Sequence, residues 1–308
     1  MRFKCLFITI LTATVTASAA PPATHRGDVV DTMHGVDVPD PYRWLEDDVR
    51  VSQDVSDWVD LQNIHTRAHL DQIETRAGIR ERLENLWDYE KTSVPVKYGP
   101  HWIYTHNDGL QNQSVWYVTE DLSKEPRVLL DPNSLSEDGT VAVSGANISD
   151  DGKWMAWAQS EGGSDWKTWR VRDVRTGEDL PDIVSWSKFS PAAWLKDGSG
   201  FYYARYEAPA EGQAMQEANT HQTLWFHRRG TPQSEDVLIH QNPEEPNWGW
   251  SPRVSDDGRW LVVHVWRGGQ ENRVLVQDLS ETGSALKPLI DHFEDSWSFV
   301  GNVGDQLF

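Results

Sequence analysis

Three stretches of the chain share one layout, an Asp-Gly turn feeding an apolar run. They are Ser149-Asp150-Asp151-Gly152-Lys153-Trp154-Met155-Ala156-Trp157, Leu195-Lys196-Asp197-Gly198-Ser199-Gly200-Phe201-Tyr202-Tyr203 and Ser255-Asp256-Asp257-Gly258-Arg259-Trp260-Leu261-Val262-Val263. Glycine accepts the positive φ that a tight turn needs, aspartate bonds the backbone ahead of it, and the apolar run behind suits a strand. The turn glycines at 152, 198 and 258 lie 46 and 60 residues apart. That is close to the roughly 40 to 50 residues of a four-stranded propeller blade with loop insertions. Spacing alone leaves two architectures open, a β-propeller and a β-sandwich with unrelated Asp-Gly hairpins.

The rest of the chain divides into two unlike regions. From Pro21 to Pro41 it carries Pro, Gly and Asp without lasting periodicity and reads as an extended arm. Val55, Trp58, Val59, Leu70 and Ile73 then recur at helical spacing, and a second helix is expected from Ile79 to Leu86. After Tyr89 the pattern changes to runs such as His101-Trp102-Ile103-Tyr104-Thr105, Ser114-Val115-Trp116-Tyr117-Val118 and Arg127-Val128-Leu129-Leu130, which read as strands. No long helical periodicity returns, so the remainder is expected to be all β.

The first residues differ again. Arg2 and Lys4 precede an apolar run from Cys5 to Leu11, and Ala17-Ser18-Ala19 follows as a small-residue cleavage pattern, so residues 1–19 are expected to be a signal peptide and the protein to be exported. The run is too short for a bilayer core of about 30 Å. Cys5 is the single cysteine and lies in this leader, which excludes disulfides and zinc-thiolate chemistry from the remainder. The formal charge is −20, and removing the leader takes away bases and no acid. Such a surface repels nucleic acid and anionic membrane.

The segment Asp40-Pro41-Tyr42-Arg43-Trp44-Leu45-Glu46-Asp47, followed by Trp58-Val59 and Gln62-Asn63, resembles the N-terminal signature of the prolyl oligopeptidase family. The resemblance continues in order through Gly109-Leu110-Gln111-Asn112-Gln113, Leu130-Asp131-Pro132-Asn133, Gly163-Ser164-Asp165-Trp166, Leu180-Pro181-Asp182, Lys188-Phe189-Ser190 and His221-Gln222. It implies a mainly-β fold, a partial seven-bladed β-propeller preceded by an N-terminal helical segment that belongs to an α/β-hydrolase domain. Residues 20–89 would be the arm and helices of the peptidase domain, and residues 90–308 an incomplete propeller of about the first four blades. The activity implied is that of an exported serine endopeptidase cutting short peptides on the carboxyl side of proline, with this part as lid and substrate filter. Its partners would be a short proline-containing peptide and a C-terminal α/β-hydrolase domain beyond this chain. The Gly-Leu-Gln-Asn-Gln and Gly-Ser-Asp-Trp matches favour proline over the basic-residue specificity of sister oligopeptidases.

The chemistry of that reaction is not visible here. A serine peptidase of this architecture needs a Gly-x-Ser-x-Gly elbow. The nearest approach, Gly162-Gly163-Ser164-Asp165-Trp166, puts tryptophan where the last glycine must allow close packing. No catalytic residue is nominated, and the chain alone is expected to be inactive. His101 and His106 flank a strand instead of sharing a helix face, so no metal site and no cofactor are expected. The seventeen tryptophans invite a sugar-stacking reading, but Trp154, Trp157, Trp260 and Trp266 fall inside apolar strand runs, where they are expected to pack sheets.

The resemblance implies substrate-facing positions at Phe189, Trp248, Gly249, Arg267 and Gln270, and places His221 and Gln222 on a mobile loop facing the catalytic domain. Phe189 would offer an apolar face to a substrate side chain, and Arg267 charge-assisted hydrogen bonds to a carbonyl or carboxylate. The family often carries bulkier or thiol-bearing residues at the positions of Gly249 and Gln270. The competing readings are a core aromatic for Phe189 and a surface ion pair for Arg267. For the whole chain the rival is a non-catalytic propeller that binds a peptide, protein or glycan.

Overall fold

The structure, a computed structural model, describes residues 20–210, 212–215 and 218–308. The expected signal peptide lies outside the described residues. Two compact units meet between Glu81 and Arg82, inside a helix.

In the first unit, the segment read as an extended arm contains a hairpin, β1 Val30–Met33 with β2 Val36–Pro39. Its turn residues His34 and Gly35 both take positive φ, 53° and 81°. The sequence offered no Asn-Gly or Asp-Gly pair there, and the strands carry no buried apolar face. The Asp40–Asp47 signature proves to be an anchoring device. Arg43 bonds Asp40 at 2.6 Å and also pairs with Asp31. Trp44 donates its indole N–H to the His25 carbonyl at 3.0 Å and meets Trp58 edge-on at 6.5 Å. Helix α1, Gln53–Leu70, starts at Ser52, whose hydroxyl accepts the Val55 N–H at 3.5 Å. Helix α2, Arg76–Trp87, crosses into the second unit. Ile73 falls in the turn between the two. On α2 the apolar side chains Ile79, Leu83, Leu86 and Trp87 are all about half exposed or more.

The second unit is built of antiparallel four-stranded sheets in succession. In the first, β3 Lys91–Thr92 and β4 Val96–Tyr98 share the edge of β5 His101–Asn107, followed by β6 Val115–Thr119 and β7 Arg127–Leu130. The second holds β8 Val141–Ile148, β9 Trp154–Glu161, β10 Lys167–Asp173 and β11 Asp179–Ser187. The third holds β12 Ala193–Trp194, β13 Gly200–Arg205, β14 Thr223–Arg228 and β15 Val237–His240, linked to the second by the single pair Ser187 with Arg205. The fourth holds β16 Gly249–Val254, β17 Trp260–Trp266, β18 Asn272–Asp278 and β19 Lys287–Ile290. A short hairpin, β20 Asn302–Val303 with β21 Gln306–Leu307, follows.

The core lies between successive sheets. Ile103, Leu129, Met155 and Trp157 fill the first interface, Trp169, Trp194, Phe201 and Tyr203 the second, and Tyr202, Leu224, Trp250 and Val263 the third. A second strand packed on both faces must be apolar without alternation, as β13 and β17 are. The tryptophans of the apolar runs do pack sheets: Trp157, Trp169 and Trp250 are each 2% exposed or less.

The repeated turn joins the first strand of a sheet to its second. The Ser149 hydroxyl donates to Asp151 at 2.7 Å and accepts the Trp154 N–H at 3.0 Å; Ser255, Asp257 and Trp260 repeat this at 2.6 and 2.9 Å. Glycine is required twice over. Gly152 takes φ 71°, and a Cβ there would stand 2.2 Å from the Tyr98 carbonyl of the preceding sheet's turn. The periodicity thus marks where neighbouring sheets touch at their turns.

Beneath the third sheet lies a buried charged network. His227 sits between Asp236, 2.7 Å from Nδ1, and Asp182, 3.0 Å from Nε2. Tyr203 donates to the other oxygen of Asp236 at 2.6 Å, and the Gly230 N–H donates to Asp182 at 2.6 Å. Burial alone would lower the His227 pKa; the two carboxylates outweigh it and raise it to about 9.

Candidate functional site

Backbone strain points to the site. Among the described residues the non-glycine residues with positive φ are His34, Trp186, Phe189 and His221. Each such conformation costs of order 1 to 2 kcal/mol, and for a bulky side chain it marks a position the surroundings impose. His34 serves the β1–β2 turn. The other three lie on two connections, β11 to β12 and β13 to β14, that Gln222 ties together.

Phe189, at φ 53°, is turned outward and 48% exposed. Its ring meets Trp266, the last residue of β17, edge-on at 6.0 Å. Phe189, Trp266 and Ser251 bound an open hollow of about 410 Å³. Gly249, the first residue of β16, pairs in register with Trp266. A Cβ on Gly249 would stand 2.0 Å from Trp266 Cζ2, so the indole lies in the space that a side chain would take. Gly249 therefore shapes the wall through Trp266 and touches no ligand space itself.

Trp248, one residue earlier, is half-buried; it meets Phe293 edge-on at 5.2 Å and carries the Arg273 guanidinium 4.7 Å above its ring. Arg267 stacks over the other partner, Phe293, at 4.3 Å. Arg273 is paired with Asp291, whereas Arg267 makes no hydrogen bond or ion pair among the described residues. The surface ion pair considered for Arg267 is thus absent among those residues. An exposed guanidinium pre-oriented on an aromatic ring is a ready donor to carbonyls and carboxylates. Gln270 lies exposed in the bend after β17 and contacts neither group.

Of the loop pair, His221 is exposed, at φ 60°, with its N–H bound to the Pro246 carbonyl at 2.7 Å. Gln222 departs from the mobile-loop expectation. It is 2% exposed, donates to the Lys188 carbonyl at 2.8 Å, accepts the Trp250 N–H at 2.7 Å, and its own carbonyl takes the Trp250 indole N–H at 2.6 Å. Burial demands that its amide be satisfied, and these bonds do so while fixing the site's two connections.

Sequence reasoning missed Trp266, Ser251 and Phe293. Trp266 stands directly before Arg267 at the end of an apolar run, which could have marked it; nothing local marks Phe293. Ser164, the nearest approach to an elbow serine, sits in the β9–β10 hairpin with its hydroxyl 3.9 Å from Met215 Sδ, not on a strand-to-helix turn.

The sequence compared with known families matches the prolyl oligopeptidase N-terminal beta-propeller domain over residues 21–308. The chain belongs to the prolyl oligopeptidase family. It is 35% identical to the prolyl endopeptidase of Elizabethkingia miricola, over 100% of this chain and 44% of that protein. It is 36% identical to the prolyl endopeptidase of Elizabethkingia meningoseptica, over 93% of this chain and 40% of that protein. Among solved structures, prolyl oligopeptidase B from Galerina marginata bound to a 35mer hydrolysis and macrocyclization substrate aligns with a TM-score of 0.77 and 30% identity, covering 94% of this chain and 44% of that one. The chain thus spans less than half the length of these prolyl oligopeptidase relatives. As a family member it is mainly β, its helices confined to α1, α2 and short single turns.

Proposed function

We propose that this chain is the substrate-filtering part of an exported prolyl endopeptidase that cleaves short peptides after proline through a serine acyl-enzyme. The observation that carries the reading is the Phe189–Trp266 wall, held by a strained backbone at Phe189 and by the missing side chain at Gly249. An aromatic wall beside a free guanidinium suits a small peptide: the rings take an apolar side chain and Arg267 takes a carbonyl or carboxylate. The relatives' names, prolyl endopeptidase and prolyl oligopeptidase, support the substrate class. The catalytic serine, aspartate and histidine are assigned to a hydrolase domain outside this chain. The exposed apolar side chains of α2 support a partner body of that kind, because such a face is stable only when covered. Export rests on the leader pattern at residues 1–19.

The test is hydrolysis of prolyl against arginyl chromogenic peptides by the intact protein, wild type and Phe189→Ala. Preference for prolyl substrates with a KM raised about tenfold in Phe189→Ala supports the reading, such a loss being the usual cost of one apolar contact. An arginyl preference, or an unchanged KM, overturns it.

A further inference from the structure

We propose that a second recess, walled by Trp166, Tyr206 and Trp225 and carrying Arg205 and Lys188, receives the C-terminal carboxylate of a peptide. The recess has a volume of about 870 Å³ and is formed by the β9–β10 turn, the end of β13, the start of β14 and the segment after β15.

The Arg205 guanidinium lies 4.1 Å over the Trp225 ring, and the Lys188 ammonium lies 3.8 Å over the Trp166 ring. Lys188 donates to the Asn219 side chain at 3.0 Å. Neither cation forms an ion pair among the described residues. In a chain with 48 acids and 28 bases a cation without a carboxylate partner runs against the odds. Lys188 is also 7% exposed, and burial holds its pKa below the usual lysine value, with Asp165 the charge that opposes this. An incoming carboxylate would satisfy both cations where aromatic walls keep water away and strengthen the interaction. Glu207 lines the mouth and is the charge an acidic ligand must pass.

The walls are set for ring contact. The Trp166 indole N–H is spent on the Ala214 carbonyl at 2.7 Å and that of Trp225 on Thr223 Oγ1 at 2.8 Å. Trp166 is braced edge-on by Trp186 at 5.4 Å and by Tyr206 at 6.1 Å. Their π surfaces suit an apolar or aromatic residue just before the terminal carboxylate. Lys188 immediately precedes Phe189, so one connection serves both the recess and the wall. The inference rests on the reading of this chain as a peptide handler, and not on where a peptide is cut.

The test uses the intact protein and a fluorescein-labelled, proline-free hexapeptide ending in an aromatic residue, as free acid and as C-terminal amide. Fluorescence anisotropy is expected to show the amide binding at least about tenfold more weakly. Arg205→Gln and Lys188→Met should each weaken the acid by about tenfold and leave the amide unchanged, while Arg205→Lys keeps most of the affinity. Equal affinity for acid and amide in the wild type overturns the proposal. So does an Arg205→Gln protein, folded by near-ultraviolet circular dichroism, that still discriminates between them. Prolyl chromogenic hydrolysis is read in parallel: cleavage without acid-amide discrimination removes this inference alone, and discrimination without cleavage removes the peptidase reading alone.

Discussion

The side-chain amide of Gln222 reaches 2.8 Å to the carbonyl oxygen of Lys188, the residue before Phe189. Through its other atom the same amide holds the Trp250 N–H, so one buried side chain joins the β11–β12 connection to β16. Both flanking backbones are strained, at Phe189 and at His221. A strained loop keeps its shape only when over-determined by its surroundings, and Gln222 is the group that over-determines this one.

Replacing that amide leaves a buried carbonyl and a buried N–H unsatisfied. Gln222→Leu is expected to cost about 2 to 4 kcal/mol, measured as a shift in urea midpoint, with a rise in KM larger than the fall in kcat as Phe189 loses its position. A KM unchanged at a fully folded Gln222→Leu would refute the positioning role.

Gly249→Ala brings a methyl group against Trp266. The indole must move, and the expected result is destabilisation by about 1 to 3 kcal/mol together with weaker binding of substrates that carry an apolar side chain. Differential scanning calorimetry and KM values for paired apolar and polar substrates check it.

Phe189→Gly separates strain from function. Glycine adopts positive φ freely, so stability is expected to stay level or rise by up to about 1 kcal/mol while KM for peptides rises. A thermal melt and a Michaelis analysis of the same preparation decide it; a drop of several degrees in melting temperature would show that Phe189 is a core residue.

His227 gives stability a pH dependence of known sign. Its folded pKa is raised to about 9, so its contribution is fully present below the unfolded value of about 6.5 and is lost as pH rises towards 9. Urea midpoints are expected to fall across that window, by no more than about 3 kcal/mol for this group. His227→Gln should flatten the window, and a wild-type slope that survives the substitution would assign it elsewhere.

Gly152→Ala tests the turn repeat. It places a Cβ at positive φ and against the Tyr98 carbonyl, and is expected to cost at least about 2 kcal/mol in chemical denaturation. Gly212, also at positive φ but with open space around it, should cost no more than about 1 kcal/mol on the same change.

The turns, the strands after them and the helices near 53–70 and 76–87 were legible because each is set by residues within a few positions of one another. Ser149, Asp151, Gly152 and Trp154 close their own turn. The β1–β2 hairpin was not legible, because His34 takes a glycine-like conformation that its type does not advertise. At the site, Phe189 and Arg267 could be nominated by resemblance, but the rings that orient them could not. Trp266 is 77 positions from Phe189 and Phe293 is 26 from Arg267 along the chain.

By itself the amino-acid sequence determined the architecture: repeated Asp-Gly turns and apolar second strands permit little but sheets stacked through their faces. Only the tertiary structure decided which residues make a surface that can grip a peptide. That choice depends on which side chain fills the void above Gly249, which cations are left unpaired, and which buried amide ties two strained connections together. These are relations between distant strands, set by packing that no local pattern encodes.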